Sequence, residues 1–245
     1  MEVNWGKTKV MVMQGDDGDR EAVNIGDERV DVVQSFQYLG RIFSEDGGDM
    51  KELRRRCAMV KADLWRMSKI MGSGKISEDT KDRIFNCICL SKLIMYGCES
   101  WRMNEKEKKI INAVESCYAR LKGNVKWTDM WTNTSVFEQV EMEQGDLLKR
   151  VIRRKATFVG HISRMNDDRL IKRVWEIRDG HREVKRGRRR TEVDADVMKM
   201  FGEYKDVKER ARDRERWRED IRKGEMPEPK RMAFPMTLRS QRGKP

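Results

Sequence analysis

Long apolar runs are missing from this chain of 245 residues. No stretch approaches the ~18 consecutive apolar residues of a membrane-spanning helix, and no signal peptide opens it. The expectation is a nuclear or cytoplasmic protein, neither secreted nor embedded in a membrane. Histidine and cysteine are scarce too. His161 and His181 have no cysteine nearby, and the five cysteines (Cys57, Cys87, Cys89, Cys98, Cys117) contain no C-x-x-C pair. That spacing excludes a zinc knuckle. An odd thiol count without a secretion signal reads as reduced, mostly buried cysteine. All four prolines fall beyond Gly224, so breaks earlier in the chain are marked by glycines.

Charge is what the chain has in abundance. Charged residues make up 39% and hydrophobic ones 38%, with a mean hydropathy of -0.86. This is too apolar for full disorder and too charged for one compact globule. An elongated, mostly helical protein with a thin core and a disordered end is expected. The net charge is +12, unevenly spread: -6 over residues 1–50, +8 over 51–135, +7 over 136–190 and +3 over 191–245. A polyanion is the natural partner of such a surface, and nucleic acid suits it better than an anionic membrane.

The β signals are confined to the start. Residues 8–14 alternate weakly, 21–25 and 28–34 are short β-prone runs around a Gly26-Asp27 turn, and Tyr38 to Phe43 is a third. Ser44 to Gly48 breaks structure. The first fifty residues read as a small antiparallel sheet. Helical spacing then takes over, with Leu53, Cys57, Val60, Leu64, Met67 and Ile70 as one stripe, ended by Gly72 and Gly74. Ser77 caps a second, nearly all-apolar helix that stops at Tyr96-Gly97. Asn104 with Glu107 opens a third, which ends at Gly123. A Trp-containing loop follows, then helices at about 135–143, 146–165 and 168–178. Residues 180–190 read as a basic linker. The stretch 203–223 has Trp217 and Ile221 as almost its only apolar anchors, so a helix there is marginal alone. The fold class expected is mainly α with a small N-terminal antiparallel β piece (α+β).

An ordered series of short motifs runs along these elements. Asn4 and Lys7-Thr8-Lys9 precede an apolar run, Val10 to Met13. Phe36-Gln37-Tyr38-Leu39-Gly40 follows, then Gly47-Gly48 and Tyr96-Gly97-Cys98-Glu99-Ser100-Trp101. Further on come Gly160-His161-Ile162-Ser163-Arg164-Met165, Lys185-Arg186-Gly187-Arg188 with Arg189-Arg190, and Ala211-Arg212-Asp213-Arg214 with Trp217-Arg218. In this order the series resembles the C-terminal part of a non-LTR retrotransposon reverse transcriptase, from late palm through thumb into a C-terminal extension. Each motif alone is weak; it is the order that carries the resemblance, over most of the chain.

The resemblance implies a palm-edge β segment over 1–46, a thumb-like helical bundle over 47–124, a helical extension over 125–180, a basic linker with charged helices over 181–223 and a disordered tail over 224–245. Phe36, Gln37, Tyr38, Leu39 and Gly40 would be the primer grip; read by themselves they are also an ordinary strand ending at a glycine. Lys7 or Lys9 would follow the catalytic strand, where a lysine could protonate leaving pyrophosphate; both are equally solvated strand-end lysines. Arg54, Arg55, Arg56, Arg153, Arg154 and Lys155 are candidate phosphate contacts of the thumb, or a solvated charged face. Lys185, Arg186, Arg188, Arg189 and Arg190 could grip nucleic acid or serve as a nuclear import signal.

Nucleotidyl transfer needs Mg²⁺ held by carboxylates on rigid strands. The family supplies these from an upstream Asp and an Asp-Asp hairpin, both expected to precede Met1. Gly15-Asp16-Asp17-Gly18 looks like a polymerase turn but follows the Lys-Thr motif and reads as an exposed hairpin tip. His161 has no nucleophile or metal partner in the sequence and reads as a surface histidine. No catalytic residue, metal ligand or cofactor is therefore assigned in this chain; Mg²⁺ belongs to the full-length family. The expected partners are RNA and DNA, as an RNA–DNA duplex or primer–template held by its backbone. Two alternatives stand beside this: a domesticated interaction protein that docks a partner or a second copy through an uncovered palm side, and a truncated gene product without function.

Overall fold

Gly26 and Asp27 close the first hairpin, because Gly26 adopts a left-handed φ of +64° at no steric cost. It joins β1 (Val23–Ile25) to β2 (Glu28–Val30) in antiparallel register, Val23 opposite Val30. A second antiparallel hairpin pairs β3 (Ser35–Tyr38) with β4 (Arg41–Ser44), Phe36 opposite Phe43. The structure is a computed structural model and describes residues 3–13, 21–94, 96–177, 195–201 and 204–224.

The expected single sheet is thus two separate two-stranded sheets, and residues 8–13 contribute only an isolated parallel bridge, Val10 to Val32. The run Tyr38 to Phe43 is likewise not one strand: Leu39 and Gly40 interrupt it as a tight turn. The physical reason is burial. Among the four strands only Val30 and Ser44 are buried, so little apolar surface draws the hairpins together.

The helices follow the sequence more closely. In α1 (Met50–Arg66) the side chains of Leu53, Cys57, Val60 and Leu64 are buried at alternating three- and four-residue steps. The chain breaks at Met67 into α2 (Ser68–Met71), which stops at Gly72. The Ser77 hydroxyl caps α3 (Glu78–Ile84). A π-helical segment, Phe85–Leu90, carries the chain into α4 (Ser91–Ile94). Reciprocal bonds between Asn104 and Glu107 open α5 (Glu105–Lys122). Thr132 caps α6 (Asn133–Gln139), and α7 (Asp146–Ser163) and α8 (Leu170–Ile177) follow. Beyond them lie α9 (Ala195–Phe201), α10 (Tyr204–Arg210) and α11 (Arg214–Lys223), the last capped by Asp213.

The main core joins α1, α3–α4, α5 and α7: Leu53, Val60, Leu64, Phe85, Leu93, Ile111, Val114, Tyr118, Leu147, Val151 and Ile152 pack together. Phe85 stacks on Tyr118 with ring centroids 4.0 Å apart. The bundle therefore runs past residue 124 and includes α7 as a further helix. A second core gathers Ala156, Val159 and Ile162 from the far end of α7 with Trp175, Val197, Phe201, Val207, Ala211 and Trp217. Helix α9 was not legible in sequence, because it is only two turns long and its apolar residues gain their burial from packing with α7, Val207 and Trp217. The molecule is mainly helical, and among the described residues its strands fall in the two N-terminal hairpins. Among the described residues no helix is long and apolar enough to cross a membrane. The Gly15-to-Gly18 turn, the Lys185-to-Arg190 run and the tail beyond residue 224 lie outside the described residues.

Candidate nucleic-acid interface

Several motifs far apart in sequence meet at the N-terminal end of α1. Glu52, fully buried, is the centre. It accepts from the Ile42 backbone N–H at 3.0 Å, from the Arg55 Nε at 3.1 Å and from the Arg56 Nε. Arg55 Nη2 also donates to the Gly40 carbonyl at 2.6 Å, which ties the hairpin turn to α1. Arg56 donates to the Tyr96 carbonyl and lies over the Trp101 ring, 5.6 Å from its centroid. Next to this group Arg41 reaches Asp49 at 2.5 Å and the Ser100 hydroxyl. Asp49 also accepts from the Arg102 backbone N–H at 2.9 Å. Burial pushes the Glu52 carboxyl upward, but the bonds from Ile42 and Arg56 outweigh it and hold the group below its ordinary value.

The Phe36-to-Gly40 stretch is presented by this anchor. Phe36, Gln37 and Tyr38 lie on β3, and all five residues are exposed. Leu39 and Gly40 take φ of +48° and +80°, the two-residue turn that suits strand twist. Gly40 meets the left-handed requirement freely, and a Cβ added there would touch nothing.

The basic candidates divide into two groups. Arg54 is exposed on α1 and makes no ion pair among the described residues, and Lys7 is exposed in the 3₁₀ turn Trp5–Lys7. Lys9 is held by Asp31 at 2.7 Å. Arg56 and Lys155 are corrected: with 5% and 1% of their surface exposed, they are withdrawn from any phosphate backbone. Helical periodicity is the cause. Arg56 shares the inward face with Leu53, Cys57 and Val60, and Lys155 shares one with Val151, Ile152 and Val159. Asp196, itself buried, sits 3.7 Å from Lys155 and 3.0 Å from Lys108.

Arg153 and Arg154 lie on the opposite face of α7. With Arg150, Thr157, Phe158 and His161 they line a cleft of about 520 Å³, closed on the other side by Ile94 and Glu99. Arg154 is bonded to Glu99 at 2.6 Å, and Arg150 to Asp146 at 2.6 Å and Asn86 at 2.8 Å. Arg153 makes no ion pair among the described residues, and its Nε is buried without an acceptor. Reading the sequence residue by residue missed this cleft, although the 150–153–154–157–161 spacing already places these side chains on one helix face.

The late motifs meet each other as well. A Cβ on Gly160 would stand 2.3 Å from Trp217 Nε1, and that indole N–H donates to the Ala156 carbonyl at 2.9 Å. Arg164 donates to the Ala211 carbonyl at 2.5 Å. Gly160 and Arg164 thus fasten α10–α11 to α7, a structural use that motif reading did not foresee. Burial pushes the Cys57 thiol up to about 11 and the Cys98 thiol up to about 12, so neither is a reactive thiolate at neutral pH.

Among the described residues no group of three or more His, Cys, Asp or Glu side chains is placed to hold a metal ion. No family model, no curated protein and no solved structure matches this chain.

Proposed function

We propose that the chain is the late-palm and thumb part of a non-LTR retrotransposon RNA-directed DNA polymerase, and that it holds the sugar-phosphate backbone of an RNA–DNA duplex without nucleotidyl-transfer chemistry of its own. The observation that supports this best is convergence. The residues quoted for the resemblance at Phe36–Gly40 and Tyr96–Trp101 are joined in space through Arg41, Glu52, Arg55 and Arg56. The exposed hairpin is thereby held against a helix whose outward face is basic. A sugar-phosphate backbone is recognised by such cations with little regard to sequence.

Binding of an RNA–DNA duplex measured across a salt series tests this. The candidate cations reaching solvent outside the α7 cleft (Lys7, Arg54, Arg55) allow about three phosphates, so log K should fall against log salt with a slope of about -2.7, roughly fortyfold between 50 and 200 mM. Absence of binding at ~50 mM salt sinks the binding half. Mg²⁺-dependent primer extension by this chain alone sinks the claim that it lacks the chemistry.

A second reading rests on the same hairpin. Phe36, Tyr38, Leu39 and Phe43 are all exposed, Tyr38 by 59% and Leu39 by 69%. Clustered exposed apolar side chains mark contact surfaces, and docking of a second copy there is the alternative.

A further inference from the structure

We infer that the α7 cleft is a phosphomonoester site, which takes the terminal phosphate of a nucleotide at Arg153 and lays the attached sugar and base along Phe158 and His161. This deepens the nucleic-acid reading and rests on it.

Charge points to the ligand first. The cleft is lined by three guanidinium groups, from Arg150, Arg153 and Arg154, against one carboxylate, Glu99. Two of the three are already matched: Arg150 by Asp146, Arg154 by Glu99. Arg153 is not. A buried N–H without an acceptor is costly, and its Nε is such a donor. The planar fork of arginine fits a phosphate through paired bonds, and Arg153 lines the cleft with no carboxylate paired to it among the described residues.

Shape selects among anions. The volume of about 520 Å³ lies within the range of small-ligand sites, ~300–1,000 Å³. The arginines stand toward the start of α7. Phe158 and His161 stand one to two turns further on, about 12 Å along the axis from residue 153 to residue 161. Flat rings at that end offer stacking faces for a base, and Ile94 adds an apolar wall. The Glu99 carboxylate on the facing wall opposes a phosphodiester strand running through the cleft. A chain end, whose phosphomonoester approaches two negative charges at pH 7, fits the excess of positive charge better. Thr157 already donates its hydroxyl to the Arg153 carbonyl at 2.9 Å, so it serves the helix and not the phosphate.

The test uses the full chain and pairs of ligands that differ only in the phosphate. An oligonucleotide duplex carrying a 5′-phosphate should bind about tenfold more tightly than its 5′-hydroxyl twin. A nucleoside 5′-monophosphate should bind where the nucleoside does not, and should compete with the phosphorylated end. Arg153→Gln should abolish the preference, and Arg153→Lys should keep part of it, since charge remains without the fork. His161 is exposed, so His161→Ala should fold normally and weaken the monophosphate several-fold, which gives a readout independent of the Arg153 variants. Binding of the free monophosphate without a preference for phosphorylated ends supports the site with the mononucleotide as its ligand. Equal affinity for both members of each pair, or a preference unchanged in Arg153→Gln, overturns the inference. The 5′-hydroxyl duplex keeps the two claims separate: if it binds with the expected salt slope while neither ligand pair shows a phosphate preference, only the cleft assignment fails.

Discussion

Glu52 has no exposed surface and accepts bonds from three donors on two elements. Isolated charges in such a place are costly, and a buried pair broken on one side loses about 3–5 kcal/mol. Its pH behaviour follows from the direction of its shift. The carboxyl titrates lower in the fold than in the unfolded chain, where it sits near 4.5. Its contribution is therefore complete above that value and is lost as pH falls through the lower folded value. Chemical denaturation should show Glu52→Gln destabilised by about 3 kcal/mol at pH 7, and stability should fall less between about pH 5 and pH 3 in the variant than in the native chain. An equal acid slope in both would remove Glu52 from this role. Asp31, Asp167 and Glu219 are also lowered by lysine partners, but they stand in solvent, where screening leaves such pairs little weight.

Helix α7 carries more than any other element. Its first half completes the main core, its second half builds the other core, and its outward face lines the cleft. Helix α11 is the opposite case. It is strongly charged, and Trp217 is its only fully enclosed side chain. The indole fits because residue 160 lacks a side chain. Gly160→Ala should therefore lower stability by about 1–3 kcal/mol through overpacking, with hydrogen exchange in α11 accelerated more than in α5. Gly74→Ala, where an added Cβ meets nothing, should change the unfolding midpoint little. Equal effects from both substitutions would mean that α11 does not depend on this notch. Much of this was readable from pattern. The caps at Ser77 and Asn104 and the stops at Gly72, Gly97 and Gly123 stand where the sequence marks them, because capping is local. Helix α9 and the turn inside Tyr38 to Phe43 were not readable, because both depend on what packs nearby.

At the scale of the whole molecule, positive charge and exposed apolar surface compete to decide the partner. The charge excess of +12 keeps copies apart at low salt, while the Phe36–Tyr38–Leu39–Phe43 surface favours contact. If the hairpin docks a second copy, sedimentation velocity should show a dimer that grows with protein concentration and with salt, since salt screens the repulsion. Leu39→Glu should then return it to monomer. A monomer throughout, in a protein that binds duplex, would leave nucleic acid as the occupant of this face. Opposite salt trends separate the two readings, because duplex binding weakens as salt rises.

The sequence by itself determined the helical class, most helix boundaries and the basic character of the surface. Periodicity, capping and composition act over a few residues and need no knowledge of the rest of the chain. Tertiary structure alone decided which charges are available. Arg56 and Lys155 carry the same charge as Arg54 and Arg153, yet the first two are enclosed, while Arg54 is exposed and Arg153 lines a cleft. One or two positions of helical rotation relative to a packed neighbour make that difference. The same packing brought Arg150, Arg153, Arg154 and His161 against Ile94 and Glu99 to form a cleft, a juxtaposition of α7 with a segment some fifty residues earlier that no local pattern contains.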